Sequence, residues 1–203
     1  MLNKGYIEGF YGRLMSLQDR TLILNKLSEL SMDFYIYGPK EDPFHRSSWS
    51  SIYPEDKAKD LQKFKEVGEK LGIKTYMALS PLISPKDNLK EGIKSLDKKI
   101  KQFKDIGFKD FAIFFDDVDF ERSEILAKTH SNILNSVSDS INQDNQDSQP
   151  DRSKIQINFF HAVSIYDSKS QVNQTYNLEL VENQVIWRIS KKSMLKTRHL
   201  ACF

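Results

Sequence analysis

The sequence predicts an α/β fold built on a parallel sheet, and three observations carry the prediction. Short β-prone runs alternate along the chain with longer stretches of helical period. The strand-like runs break at glycine or proline, and the helix-like stretches carry start and stop signals. Strand, helix and strand in regular succession imply parallel strands joined by right-handed crossovers.

Each element has its own warrant. "KGYIEGFYG" is a short β-like run ending in glycines, and "SLQDRTLILNKLSELS" follows with apolar residues at helical spacing and Ser16 as its N-cap. "DFYIYGPK" is aromatic and β-branched, closed by Gly38-Pro39. "PEDKAKDLQKFKEVGEKLG" opens on Pro54 and two acids and closes at Gly72, correct helix punctuation at both ends. "IKTYMALSP" is the third strand, stopped by Pro81, and "DNLKEGIKSLDKKIKQFKDIG" the third helix, ended by Gly107. "FKDFAIFFDD" is the fourth strand and "SEILAKTHSNILNSVSDSI" the fourth helix. Residues 142–153, "NQDNQDSQPDRS", are polar and of low complexity, and read as a loop outside the core. "KIQINFF" reads as a fifth strand, "TYNLELVEN" as a short helix and "QVIWRI" as a sixth strand. Two architectures fit: an open doubly wound sheet, or a (β/α)₈ barrel, which ordinarily takes about 250 residues. Six strand–helix steps leave a barrel two short. The whole chain, residues 1–203, reads as one domain.

Composition narrows the function classes. The 203 residues are 39% apolar and 29% charged, and no apolar run is long enough to span a membrane. The N-terminus lacks an apolar segment followed by a cleavage site, so a cytoplasmic location is expected. The single cysteine, Cys202, excludes an internal disulfide. His45, His130, His161 and His199 lack metal-ligand spacing, and neither a metal nor a cofactor is expected. A net charge of +2 with dispersed lysines reads as a solvated surface rather than a nucleic-acid footprint. The phosphate-binding loop G-x-x-x-x-G-K-[ST], the dinucleotide fingerprint G-x-G-x-x-G and the nucleophile elbow G-x-S-x-G are absent.

In both architectures ligands bind at the C-terminal ends of the strands. The polar residues there are Glu8-Gly9, Lys40-Glu41-Asp42 and Asp116-Asp117. Adjacent strand residues point to opposite faces, so Asp116 and Asp117 reach one substrate only where the strand ends and turns. Phe114 and Phe115 desolvate the first carboxyl, and a like charge beside it also favours the neutral form. A proton-donating carboxyl next to an ionised one suits glycoside hydrolysis. Helix capping and a magnesium site for phosphoryl transfer fit the same acids. Lys40, directly after Gly38-Pro39, is placed to donate to a sugar hydroxyl or a phosphate. The alternative for its loop is a charged surface with an internal Lys–Asp pair.

Three motifs in order, "EGFYGR" (8–13), "YIYGPKEDPFHR" (35–46) and "FFDDVD" (114–119), resemble glycoside hydrolase family 84, the β-N-acetylglucosaminidases that include protein O-GlcNAcase and hyaluronidase-like bacterial enzymes. The resemblance is close over residues 4–120 and fainter to "VIWRISKKS". It implies a (β/α)₈ barrel that removes β-linked N-acetylglucosamine from glycoproteins or glycans with retention, the substrate's acetamido oxygen acting as nucleophile. It implies that Asp116 orients the acetamido group and stabilises a positive oxazoline, and that Asp117 is the general acid and then base. It implies sugar contacts by the Gly9 backbone and by Lys40, and an acetamido contact by Tyr166 in "HAVSIYDS", without the family's "PTEY" setting. "GRLM" stands where the family has "GRPW", and "PKED" where it has "PKDD". The family's Trp/Asn segment and the Asp of strands seven and eight have no counterpart. A vestigial sugar-binding homologue is the alternative reading.

Overall fold

The computed structural model describes residues 4–84, 86–115, 124–143 and 159–162. Along them run β1 (Gly5–Glu8), α1 (Leu17–Glu29), β2 (Phe34–Tyr37), α2 (Glu55–Lys70), β3 (Lys74–Leu79), α3 (Leu89–Asp105), β4 (Asp110–Phe114), α4 (Glu124–Gln143) and β5 (Phe159–Ala162). Of the expected loop 142–153, residues 142 and 143 belong to α4, and the rest lies outside the described residues. The expected fifth strand, 154–160, is described only from Phe159, where it pairs with Phe111. The expected helix at 175–183 and strand at 184–189 lie outside the described residues.

The strands are parallel and pair in the order β1-β2-β3-β4-β5. Tyr6, Tyr35 and Thr75 stand in one register row, and Met77, Phe111 and Phe159 in another. Consecutive order with no reversal is the order of a (β/α) barrel. A doubly wound sheet reverses at a switch point. Of the two expected architectures, the order of the described strands is that of the barrel.

Side-chain alternation divides the sheet into two faces. Tyr35, Tyr37, Met77, Leu79, Phe111 and Ile113 point to one face, where they join Leu24, Phe64, Ile100 and Ile133 from all four helices in a single buried cluster. Ile36, Tyr76, Ala78, Ala112 and Phe114 form a second cluster on the opposite face, with Ile7 and Phe34 against it. Each large apolar side chain fully buried in such a cluster contributes about 1.5–3 kcal/mol. Gly38 belongs to the second face by necessity. A Cβ there would stand 2.8 Å from Phe114 and 3.0 Å from the Ala78 Cβ.

Helix ends follow their local chemistry. Ser16 accepts from the Asp19 N–H while Asp19 accepts from the Ser16 N–H, a complete capping box. Asn88 caps α3 through the Glu91 N–H. The first three helices end alike, with an N–H reaching back five residues: Met32 to Leu27, Ile73 to Gly68 and Phe108 to Phe103. The left-handed residue in each ending is Ser31, Gly72 or Gly107, and Ser31 alone of these carries a side chain at φ 52°.

Candidate active site

Gly9 and Lys40 follow the C-terminal ends of β1 and β2 at one edge of the sheet, the edge at which β4 also ends. Neighbouring parallel strands lie about 4.8 Å apart, so β1 and β4 are separated by on the order of 15 Å along that edge. Gly9 follows β1 directly, and a Cβ there would meet only the Ile7 side chain, at 3.2 Å. Gly12, at φ 132°, turns this loop, and its N–H points to the Glu41 carboxylate across a long 3.5 Å. The loops after β1 and β2 therefore adjoin. Lys40 is buried, with 8% of its surface exposed. β4 ends at Phe114. The Phe115 ring is buried and stacks on His130 of α4, 3.9 Å between centroids and nearly coplanar. This stacking fixes the backbone one residue before the carboxyl pair. Asp116, Asp117 and Tyr166, and Asp119 with them, lie outside the described residues.

Two other polar residues from these strand ends have structural roles. Glu8 faces the helices and is 1% exposed. Its two oxygens accept from Arg20 Nε and Nη2, each at 2.8 Å, and one also accepts from the Tyr35 hydroxyl at 2.8 Å. Burial works against the Arg20 charge, but the Glu8 bonds and the charges around it outweigh burial and hold the guanidinium above its ordinary pKa. The guanidinium also lies 4.7 Å above the Tyr37 ring. Asp42 turns inward. Its Oδ2 accepts from the Tyr37 hydroxyl at 2.6 Å and the Tyr53 hydroxyl at 2.7 Å, and its Oδ1 accepts from the Phe44 N–H at 2.9 Å. Burial first, and the neighbouring Asp42 with it, pushes both phenols well above their usual pKa, so they remain donors. The segment from Lys40 to Tyr53 is thus internally bonded around the buried Lys40, Asp42, His45 and Tyr53, while Glu41, Pro43, Ser47 and residues 50–52 are exposed.

His45 is buried in this loop, edge-on to Phe114 at 6.3 Å between centroids. Among the described residues neither ring nitrogen makes a well-formed hydrogen bond, although the Ala78 backbone faces the ring. Burial, with the Arg46, Lys40 and Lys99 charges adding to it, lowers its pKa to about 3, so the imidazole is neutral at physiological pH. Among the described residues no group of three His, Cys, Asp or Glu side chains is arranged to hold a metal. No described helix is long and apolar enough to cross a membrane.

Sequence reasoning did not find Arg20, Asp42, His45, Lys99 or Gln102 as anchors. For Arg20 and Lys99 a signal exists. Arg20 is four residues before the buried Leu24. Lys99 is three after the buried Leu96 and four before the buried Phe103. Both cations occupy the core stripe of their helices.

Parallel strands in consecutive order, with helices on one face and structured polar loops at the C-terminal edge, define an α/β domain that presents its binding edge at the strand ends. The chain belongs to the β-N-acetylglucosaminidase family, whose family model matches residues 4–187. That bears out the resemblance to glycoside hydrolase family 84. Among curated proteins, protein O-GlcNAcase of Rattus norvegicus and that of Mus musculus are each 30% identical over 115 residues. The match takes in 57% of this chain and 13% of the length of those relatives. Among solved structures, a mutant of the Thermobaculum terrenum O-GlcNAc hydrolase superposes with a TM-score of 0.73 at 26% identity, over 90% of this chain and 40% of that one. CpGH84B superposes with a TM-score of 0.62 at 26% identity, over 77% of this chain and 26% of its own.

Proposed function

We propose that this chain forms the catalytic part of a (β/α)₈ glycosidase that removes β-linked N-acetylglucosamine by substrate-assisted retaining catalysis. The observation that carries the reading is the family match over residues 4–187, which spans all five proposed site residues. The position of Lys40 supports it, since a lysine held in the structured loop after β2 stands at the strand-end edge where ligands bind in such folds. Gly9, with no side chain to keep a sugar from its backbone, supports it as well.

In the proposed reaction the acetamido oxygen attacks the anomeric carbon as the glycosidic bond breaks. The Asp117 carboxyl gives its proton to the departing oxygen. Asp116, as a carboxylate, orients the acetamido N–H and balances the positive charge of the oxazoline. Water then attacks the anomeric carbon and gives a proton to Asp117, which restores the acetamido group and the β configuration. Lys40 and the Gly9 backbone hold sugar hydroxyls, and Tyr166 holds the acetamido group. The substrate is an N-acetylglucosamine-bearing protein or glycan.

Hydrolysis of an aryl N-acetyl-β-glucosaminide tests the reading. Asp117→Ala is expected to slow substrates with poor leaving groups far more than those with good ones, because good leaving groups need no proton. Asp116→Asn is expected to slow both. Equal rates for wild type and Asp117→Ala on a poor leaving group would remove Asp117 as the acid. Tight binding of an oxazoline mimic without turnover would favour the vestigial sugar-binding reading. Activity undiminished by a chelator would remove the alternative of magnesium-dependent phosphoryl transfer.

A further inference from the structure

Lys99 lies on α3, in the stripe formed by Leu96, Ile100 and Phe103, and is 3% exposed. A cation at such a position has lost its water and must find acceptors. It finds them 50 and 55 residues away in sequence. Its Nζ donates to the Phe44 carbonyl at 2.5 Å and to the Trp49 carbonyl. It also faces the Tyr53 ring, 5.3 Å from the centroid.

Both carbonyls belong to the loop that begins with Lys40. Between them the backbone turns on itself, with Ser48 N–H to Pro43 O at 2.7 Å and Trp49 N–H to Arg46 O at 3.1 Å. One ammonium thus closes both ends of this turn. Three residues along the same helix, Gln102 accepts from the Tyr53 N–H at 2.8 Å and donates to the Tyr53 carbonyl at 2.7 Å. On the Lys40 side, Asp42 N–H bonds to Pro39 O at 3.2 Å, and the His45 and Arg46 N–H groups both bond to Asp42 O at 3.0 Å. The chain from Pro39 to Tyr53 is therefore a continuous bonded unit, and α3 is the rigid body to which it is fastened.

We propose that Lys99 is a positioning residue for the sugar site: it clamps the loop after β2 to α3 and so fixes where Lys40 stands. The inference rests on the sugar-binding reading of Lys40. Its geometry separates two duties. Lys40 would meet the ligand, and Lys99 bonds to the backbone of the loop that carries Lys40. Burial pushes the Lys99 pKa down to about 8, against the pull of Asp42, which leaves the ammonium form dominant at neutral pH. The role is one of ground-state and transition-state binding alike, because Lys40 would hold a sugar hydroxyl and takes no part in the bonds that form and break. Its loss should therefore raise KM and spare kcat.

The test compares wild type, Lys99→Met, Lys99→Arg and Lys40→Met by hydrogen–deuterium exchange, by titration with an N-acetylglucosamine-derived thiazoline, and by steady-state hydrolysis of an aryl N-acetyl-β-glucosaminide. In Lys99→Met, exchange should accelerate about tenfold across residues 39–53 while β3 keeps its protection, thiazoline affinity should fall about tenfold, and kcat should stay within about threefold. Lys99→Arg, which keeps the charge and two donors, should recover most of both. Unchanged loop exchange in Lys99→Met overturns the clamp. A loosened loop with unchanged affinity overturns the positioning role. If Lys99→Met does not fold, Lys99→Gln, which keeps an N–H for one carbonyl, is read by the same two criteria. Lys40→Met separates the two readings. Lost affinity with an intact loop supports the sugar contact, whereas retained affinity removes that contact and leaves loop exchange to decide the clamp.

Discussion

Removing Glu8 should cost this fold more than any surface substitution. The Arg20 guanidinium is 7% exposed, and Glu8 neutralises it through two bonds of 2.8 Å. In Glu8→Ala the cation stays in the core without a counter-charge, and the Tyr35 hydroxyl loses its acceptor. Breaking a buried pair from one side costs about 3–5 kcal/mol, and an orphaned hydroxyl adds about 1 kcal/mol or more. Water entering the vacated volume offsets part of this, so about 4 kcal/mol is expected. Domain stability is typically about 5–15 kcal/mol, and a kcal/mol shifts the melting temperature of a chain this long by about 2–4 °C. The variant should therefore melt about 8–16 °C lower. Urea unfolding of Glu8→Ala, Arg20→Ala and the double variant measures the effect, and the coupling between the two sites should exceed about 2 kcal/mol. Half-molar salt should leave that coupling nearly intact, because the pair is out of reach of counter-ions. A loss below about 1 kcal/mol, or a coupling that salt abolishes, would mean that the pair is solvated like a surface bridge and would refute the argument.

Ser31 holds a left-handed conformation in a helix ending where Gly72 and Gly107 serve the other two, so Ser31→Gly should stabilise by about 1 kcal/mol, read from the urea midpoint; a destabilisation would contradict the reading. Asp42→Ala orphans two buried phenols and should cost about 3 kcal/mol, whereas Tyr53→Phe, which leaves Asp42 its bond to Tyr37, should cost about 1 kcal/mol; equal losses would count against the shared acceptor. His45 has a folded pKa of about 3 against an ordinary value near 6.5, so between those values the unfolded chain binds the extra proton and stability falls as pH falls. The stability difference between wild type and His45→Leu should change by up to about 1.4 kcal/mol per pH unit below about pH 6, and parallel curves would show that the imidazole protonates in place. Gly38→Ala should cost about 1–3 kcal/mol by forcing Phe114 aside, with a larger proportional loss of hydrolysis than Gly68→Ala, whose added methyl meets Thr75 on the helix side.

Elements that declare themselves locally were legible in the sequence. Ser16, Pro54, Gly72 and Gly107 bound the helices where expected, because a cap is a contract between residues three to five apart. The placement of Gly9 and Lys40 at adjoining strand ends was legible too. The register of β5 was not, since a run such as "KIQINFF" is β-prone throughout and only the pairing with β4 selects Phe159–Ala162. Nor were the roles of the charged residues. Glu8 and Asp42 looked like ligand-facing groups because they end strands, yet their partners lie on α1 and in the loop itself. Lys99 looked like one more solvated lysine, although its spacing from Leu96 and Phe103 sets it on the core stripe, off which Lys98 and Lys101 lie. Its acceptors are backbone carbonyls some fifty residues earlier, and carbonyls leave no trace in composition.

The fastening of the β2–α2 loop to α3 also bears on how this gene can be recombined. The β/α unit is the natural exchange module of such folds, and a crossover at residue 54 or at residue 88 respects every helix and strand boundary. Either one would still part Phe44, Trp49 and Tyr53 from the Lys99 and Gln102 that hold them. A chimera joined there inherits a binding loop without its fastenings. A join placed after Gln102, at the turn through Gly107, moves the loop and its anchors as one block.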